Sequence, residues 1–455
     1  MFAKKHTKFL ESAIKMQSLK LQIWFLLPTI ALTVCHHPQV AQASGFALSE
    51  QSVKGLGNAF TGGAAAVDDA STIFFNPAGL TELEASSVQA GAYYIAPTVR
   101  FNNQGSSLFN GTPLSGGEGG DAGVNAVVPN LYANWSISDR IKLGVGVNVP
   151  FALTTEYESD WVGRYQAVKS QLTTININPA IAAKLSEQLS VGAGVNLQYA
   201  NAELSNAIDF GLIGLSAGLP TQPQSADGFV KVEGNDWSLG YNLGILYKPD
   251  KNTRIGLAYR SAMTHQLRGE ADFTVPTATA ALTQRGAFTD TDAKAELKLP
   301  DTLSLSIYQK VSPKFALMGD VTWTNWSRFD KLQIDYDNPA QPSTVQPQNW
   351  RDTIRVGLGF NYQVLEQLTL RAGIAYDPTP VKDEYRTARI PDSDRTWLAV
   401  GASYKPSDSL SIDIGYAHLF VDDGSIEQVS RTEGTLRGKY ENQVDIVGVQ
   451  VNWSF

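Results

Sequence analysis

Three features of the sequence predict an all-β chain, a 14-stranded antiparallel transmembrane β-barrel with an N-terminal hatch in its lumen. From Ser86 onward, stretches of about ten residues alternate apolar side chains with Gly, Asn, Ser and Thr, and aromatics gather at their ends. Connections between the stretches alternate short and long, as in bacterial barrels. No apolar run after residue 43 approaches the roughly 18 residues of a spanning helix.

Residues 1–43 are expected to be a signal peptide. Lys4, Lys5, Lys8, Lys15 and Lys20 form a basic start, Leu21 to Val34 a short apolar run, and Ala41-Gln42-Ala43 a cleavage pattern. Met16 is an alternative start. Cleavage after Ala43 leaves 412 of the 455 residues; losing five lysines and one glutamate moves the net charge from −8 to −12. Cys35 leaves too, so the remaining chain can form no disulfide and no Cys/His zinc cluster. An acidic exported chain is a poor nucleic-acid binder, and no cofactor is expected.

Residues 44–85 are expected to form a compact hatch or plug. This stretch is rich in Gly and Ala and lacks a clean period of 2 or 3.6. In Phe74-Phe75-Asn76-Pro77-Ala78-Gly79-Leu80, Pro77 excludes Asn76 from helical geometry and forces a turn.

Residues 86–455 are expected to form the barrel. Its strands are placed at about 86–99, 125–137, 140–154, 170–185, 188–203, 236–248, 252–262, 293–310, 313–326, 350–364, 367–377, 394–405, 408–421 and 439–455. Trp237-Leu239-Tyr241-Leu243-Ile245-Tyr247 against Ser238, Gly240, Asn242 and Gly244 is representative. Long loops fall at about 100–124, 155–169, 204–235, 263–292, 327–349, 378–393 and 422–438. An even strand count places both ends in the periplasm. A lumen this wide must be open or plugged. In the third strand Pro150 interrupts the pattern, which marks either a break in pairing or the strand's end.

No catalytic constellation is present, and no enzyme is expected. Asp68-Asp69 and Asp422-Asp423 read as solvated pairs. Asn-Trp-Ser at 134, 325 and 452 reads as the aromatic girdle of the wall. Apolar residues Phe210, Leu212, Ile213 and Leu215 suit either a greasy surface groove or a short packed helix. Six basic residues, Arg164, Arg254, Arg260, Lys331, Arg355 and Arg371, are candidates to meet a carboxylate, and alternation turns Arg355 and Arg371 toward the lumen.

Gly45-Phe46, Gly55-Leu56-Gly57-Asn58-Ala59-Phe60, Asp68-Asp69-Ala70-Ser71-Thr72 and Asn76-Pro77-Ala78 resemble the FadL-type transporters of long-chain fatty acids and other hydrophobic molecules (OmpP1/FadL/TodX family). Trp161-Val162-Gly163-Arg164-Tyr165, Leu299-Pro300-Asp301 and Ile390-Pro391-Asp392-Ser393-Asp394-Arg395 continue the resemblance in order through the barrel. It implies passive uptake of hydrophobic ligands with lateral exit at a kinked third strand, here Pro150, Phe151 and Ala152. It also implies a hatch or gate built on Ser44, Gly45, Phe46, Phe75, Asn76, Pro77 and Ala78. Fatty acids and aromatic hydrocarbons both stay open as substrates. Arg355 and Arg371 are the candidate head-group contacts. The competing reading is a general diffusion porin, which needs no plug. Expected partners are outer-membrane lipid, lipopolysaccharide and, through the terminal Trp453-Ser454-Phe455, the outer-membrane assembly machinery. The protein is expected to be a monomer.

Overall fold

The structure is a computed structural model that describes residues 45–430 and 432–455. The expected signal peptide and Ser44 lie outside the described residues. From Ser87 on, fourteen antiparallel strands close on themselves. They are β1 (Ser87–Asn103), β2 (Ala126–Ser136), β3 (Ile141–Asn148, resuming as Ala152–Glu156), β4 (Lys169–Lys184), β5 (Leu189–Asp209) and β6 (Asp227–Asp250). There follow β7 (Thr253–Arg260 and Met263–Thr274), β8 (Thr291–Leu299 and Thr302–Ser312), β9 (Phe315–Thr324 and Lys331–Tyr336) and β10 (Thr344–Pro347 and Thr353–Leu365). The last are β11 (Leu368–Asp377), β12 (Arg395–Ser407), β13 (Leu410–Val421 and Gly424–Ser430) and β14 (Gly434–Ser454). β1 closes the ring by pairing with β14 from Ser87↔Ser454 to Asn103↔Gly438. A closed ladder satisfies its own backbone groups, the condition for crossing a bilayer with strands. No described helix is long and apolar enough to cross one.

The alternation sets which side chains meet lipid. On β6, Trp237, Leu239, Tyr241, Leu243, Ile245 and Tyr247 point outward and are exposed, while Asn242 points inward and is buried. Toward the outer end the pattern inverts. Along the second segment of β7, Met263, His265 and Leu267 point inward and are buried, and Thr264, Gln266 and Arg268 point outward.

This inversion corrects two expected loops, and two more, 327–349 and 422–438, also hold paired strand at Lys331–Tyr336, Thr344–Pro347 and Gly424–Ser430. β5 and β6 stay paired as far as Asp209↔Asp227, and β7 runs on to Thr274, so much of 204–235 and 263–292 is strand. Beyond the lipid the outer face carries charges, and a charged strand reads as loop. Between β5 and β6 a short helix, Phe210–Ser216, buries Phe210 edge-on against Phe288 at 4.9 Å.

The N-terminal segment lies against the inner face of the wall. It is a string of short turns: Val53–Leu56, Gly63–Ala66, Thr72–Phe75 and the 3-10 turn Pro77–Glu82. Asn76 is extended (φ −160°, ψ 100°), as Pro77 requires, and its side chain accepts from Ala78 N at 3.1 Å. Its amide donates to Ala64 O at 2.7 Å and to Ile245 O of β6 at 3.0 Å. Val53, Leu56, Ile73 and Leu80 are fully buried, each worth about 1.5–3 kcal/mol out of water.

Inward-facing glycines of the wall make this approach possible. A Cβ at Gly192 would sit 2.3 Å from Ala78 N, at Gly256 1.9 Å from Ala64 O, and at Gly373 2.2 Å from Asn58 C. The Gly positions of the alternating strands are therefore the seat of the segment. Asp69, expected to be solvated, is buried here; Lys54 Nζ at 3.8 Å and Gln450 Nε2 at 2.8 Å compensate its carboxylate.

Candidate functional site

The site begins where the wall is not fully paired. β2 and β3 pair from Ser136↔Lys142 to Leu131↔Val147, and among the described residues the pairing ends there. Residues 126–130 still pair with β1 on their other side. Beyond Asn148 the chain of β3 leaves β2, and Ala152–Glu156 pairs with β4. Proline has no N–H to give to a ladder. Pro150 O instead accepts from Leu48 N at 2.8 Å, and Ala152 N donates to Phe46 O at 2.9 Å. Phe151 N donates to Thr174 Oγ1 at 3.0 Å, and Ala47 bridges to Phe151. Residues 46–48 have thus taken the place of β2 at the break. Val149 and Leu48 pack in one cluster with Ala126 and Val128 across it.

An aromatic box holds Phe46. Its ring lies 4.8 Å from Trp326, 5.4 Å from Phe329, 5.5 Å from Trp350 and 6.1 Å from Phe151. Most of these contacts are edge-on, the favoured aromatic geometry. Gly45 has φ +59°, and a Cβ there would lie 2.6 Å from the Trp350 ring, so only glycine fits. Gly45 N donates to Asp392 Oδ2 at 2.9 Å, and Asp392 also meets Arg395. Burial still raises the Asp392 carboxyl above its ordinary range, against the pull of Arg395.

Trp326 is a correction to the girdle reading of Asn325-Trp326-Ser327. It turns inward on the short turn Trp326–Arg328 and is buried, because β9 breaks at Thr324 and Asn325 ties back to Asp301 at 2.9 Å. Box and outer lumen share a larger apolar cluster with Leu153, Leu172, Met263, Leu267 and Leu297. Ala293-Lys294-Ala295-Glu296-Leu297-Lys298-Leu299, apolar alternating with charged, is the sequence signal for these inward residues.

Below the box lies a cavity of about 150 Å³ between the segment and the wall, bounded by Leu48, Phe60, Phe74, Phe75, Phe151 and Tyr259. A cavity of that size accommodates a benzene-sized molecule, and its lining is mixed, with Asn242, Ser306, Asp320, Thr322 and Asp377 beside the apolar residues. Two arginines reach it, Arg355 and Arg260. Arg355 Nη2 donates to Ala59 O, and Nη1 lies 3.7 Å from Asp320. Arg260 Nη2 donates to Phe74 O at 2.9 Å, with its guanidinium 4.0 Å from the Phe74 ring centre. Arg371 is inward but elsewhere: it meets Ser403 Oγ and, at 4.0 Å, Asp68. Arg164 pairs with Asp227 at 2.7 Å in the outer loops.

Phe75 stacks on Phe60 at 6.4 Å beside the cavity, and Asn76, Pro77 and Ala78 are buried beneath it. Glu50, on the N-terminal segment, is buried, and its Oε2 has no hydrogen-bond partner among the described residues. Burial pushes its carboxyl up to about 7, against the pull of its own backbone amide and of Arg395.

Residues 34–455 match the family model described as outer membrane protein transport protein (OMPP1/FadL/TodX). The 47 kDa outer membrane protein of Pasteurella multocida is 34% identical over 389 residues, covering 83% of this chain and 88% of that protein. The long-chain fatty acid transport protein of Escherichia coli (strain K12) is 30% identical over 461 residues, covering 95% and 99%. A FadL homologue of Pseudomonas aeruginosa superposes with a TM-score of 0.84 at 26% identity, covering 90% of this chain and all of that one. The outer membrane is therefore the site of action. This chain belongs to the OMPP1/FadL/TodX family of outer membrane transport proteins.

Proposed function

We propose that this protein takes up hydrophobic molecules, long-chain fatty acids first among them, passively and with lateral exit. The N-terminal segment, residues 44–85, acts as the hatch, and the break between β2 and β3 is the exit. Removal of residues 1–43 as a signal peptide precedes this. One observation carries the reading: the hatch itself pairs with the kinked strand, Leu48 with Pro150 and Phe46 with Ala152. A movement of Phe46 out of its box thus frees the break at the same moment. Each CH₂ kept out of water is worth roughly 0.8 kcal/mol, so an apolar chain gains by leaving sideways into the bilayer rather than through a wet pore. The matched E. coli protein is named for long-chain fatty acid transport, which agrees.

Aromatic hydrocarbons are the second reading, and the box around Phe46 favours them, since it already holds one phenyl ring. Chemistry on the ligand forms no part of either reading.

The test restores a regular third strand with Pro150→Val and Ala152→Thr. Uptake of radiolabelled oleate and toluene by cells carrying this variant is expected to fall about tenfold or more, with surface binding retained. Unimpaired uptake of both, with residues 149–151 paired to β2, would mean another exit.

A further inference from the structure

The chain holds a single Asn-Gly pair, Asn110-Gly111, and the fold puts it at the tip of the outer loop between β1 and β2. A small hairpin presents it. Leu108 N donates to Thr112 O at 2.7 Å, Gly111 N donates to Leu108 O at 2.9 Å, and Ser107 bridges to Pro113. Gly111 takes φ +83°, as the last residue of a three-residue hairpin loop commonly does. The stalk is fixed: Leu108 and Leu114 are buried, and Ser107 exchanges backbone hydrogen bonds with Thr435 of β14. The tip is open. Residues 109–113 are exposed, Phe109 to 81%, and among the described residues nothing comes within 4 Å of where a Gly111 Cβ would stand.

Two local features favour attack of the Gly111 nitrogen on the Asn110 side chain. Glycine adds no Cβ beside that nitrogen, so the nitrogen can reach Cγ of the preceding residue. Thr112 N donates to Asn110 Oδ1 at 3.0 Å, and that oxygen is the one that gains negative charge as the nitrogen adds. What holds the nitrogen back is a hydrogen bond to Leu108 O in an exposed turn, the class of bond that opens most readily. The other asparagines are placed differently. Asn76, Asn178 and Asn338 precede proline, which has no N–H to lose. Asn130, Asn134, Asn148, Asn176, Asn196 and Asn242 are buried on strands.

We propose that Asn110 is a self-modifying site, converted with time into aspartate and isoaspartate, so that the tip of the first outer loop acquires a negative charge as the protein ages. Hydroxide removes the Gly111 N–H proton. The nitrogen then bonds to Asn110 Cγ, the Cγ–Nδ2 bond breaks, and ammonia leaves with a proton taken from water, which leaves a cyclic imide and regenerates the hydroxide. Water opens the ring. Attack at Cγ gives aspartate; attack at the Asn110 backbone carbonyl gives isoaspartate, in which the chain runs through Cβ and Cγ. In sum, an asparagine and a water become a carboxylate and an ammonium, and nothing is oxidised or reduced. Either product places a carboxylate beside Phe109, and isoaspartate also lengthens the hairpin backbone by a carbon. This chemistry is independent of what the barrel carries.

The full-length protein, folded in detergent, is held warm at about pH 7 and at about pH 9, sampled over days and digested with trypsin, since removal of the amide proton makes the reaction base-dependent. Mass spectrometry of the peptide Phe101–Arg140, which carries five further asparagines as internal controls, locates the change against a freshly purified sample. Labelling by an isoaspartyl methyltransferase reads the isoaspartate share. Asn110 is expected to convert ahead of the other asparagines of the peptide, and faster at the higher pH. Gly111→Ala is expected to slow the conversion about tenfold, through the Cβ it sets beside the attacking nitrogen. The faster gel mobility of the unboiled variant checks that its barrel is intact. Asn110→Asp is expected to comigrate on isoelectric focusing with the charge form that accumulates in the aged protein. An Asn110 that stays intact at both pH values overturns the proposal. So does conversion no faster than at the other asparagines of the peptide, or a rate unchanged in Gly111→Ala.

Discussion

Phe46 shows how much one side chain can hold. It is 1% exposed and ringed by four aromatics, and its backbone carbonyl is the partner of Ala152 N. Truncating a buried phenylalanine typically costs about 3–5 kcal/mol. Phe46→Ala is therefore expected to release the N-terminal segment without unfolding the wall. Limited proteolysis checks this: cleavage within residues 45–60 appears, while the unboiled protein keeps its faster gel mobility. Glu50 adds a pH dependence. Its carboxyl titrates near 7 in place of the ordinary 4.5, so packing favours the protonated form. That stabilisation is complete below about pH 4.5 and is lost as pH rises through about 7. Ion conductance in a planar bilayer is expected to rise between about pH 5 and pH 8, and Glu50→Gln to flatten the rise. A conductance indifferent to pH in the unmodified protein would mean that Glu50 does not hold the segment.

At the scale of elements, the strands do two jobs with one alternation. Their outward residues meet lipid, and their inward glycines make room for a segment of chain. Gly256 is the sharpest case, with a Cβ there 1.9 Å from Ala64 O, a backbone atom that cannot swing aside. Gly256→Val is expected to expel residues 62–66 and raise conductance, with the β-rich circular dichroism unchanged. β3 is the exception among the strands. It changes partner at Pro150 because proline cannot donate to the ladder, and residues 46–48 supply the pairing that β2 does not.

At the scale of the molecule, the closed wall is expected to stay folded without the N-terminal segment. Outside the break between β2 and β3 the ladder from β1 round to β14 satisfies its own backbone, and the segment adds side-chain burial and the three residues paired at that break. Deleting residues 45–77 is expected to leave a folded, heat-modifiable barrel with a large ionic conductance. If the intact protein already conducts as strongly, the segment does not close the lumen and the diffusion-porin reading gains.

The sequence alone determined the barrel, because strand alternation and turn spacing are local periodic patterns that lipid on one side enforces residue by residue. It also determined the turn at Asn76-Pro77, which is a matter of proline sterics. Where lipid ends, so did legibility: the outer parts of β5, β6 and β7 carry charge outward and looked like loops. The site was visible only in pieces. Pro150 marked the break, but nothing local says that residues 46–48 will fill it, that Trp326 turns inward, or that Arg260 reaches the cavity while Arg371 does not. Those facts depend on residues far apart in the chain, such as Gly45 and Asp392, separated by 347 positions and joined by one hydrogen bond. Only closure of the wall around the segment brings such residues together, so the tertiary structure decided the site.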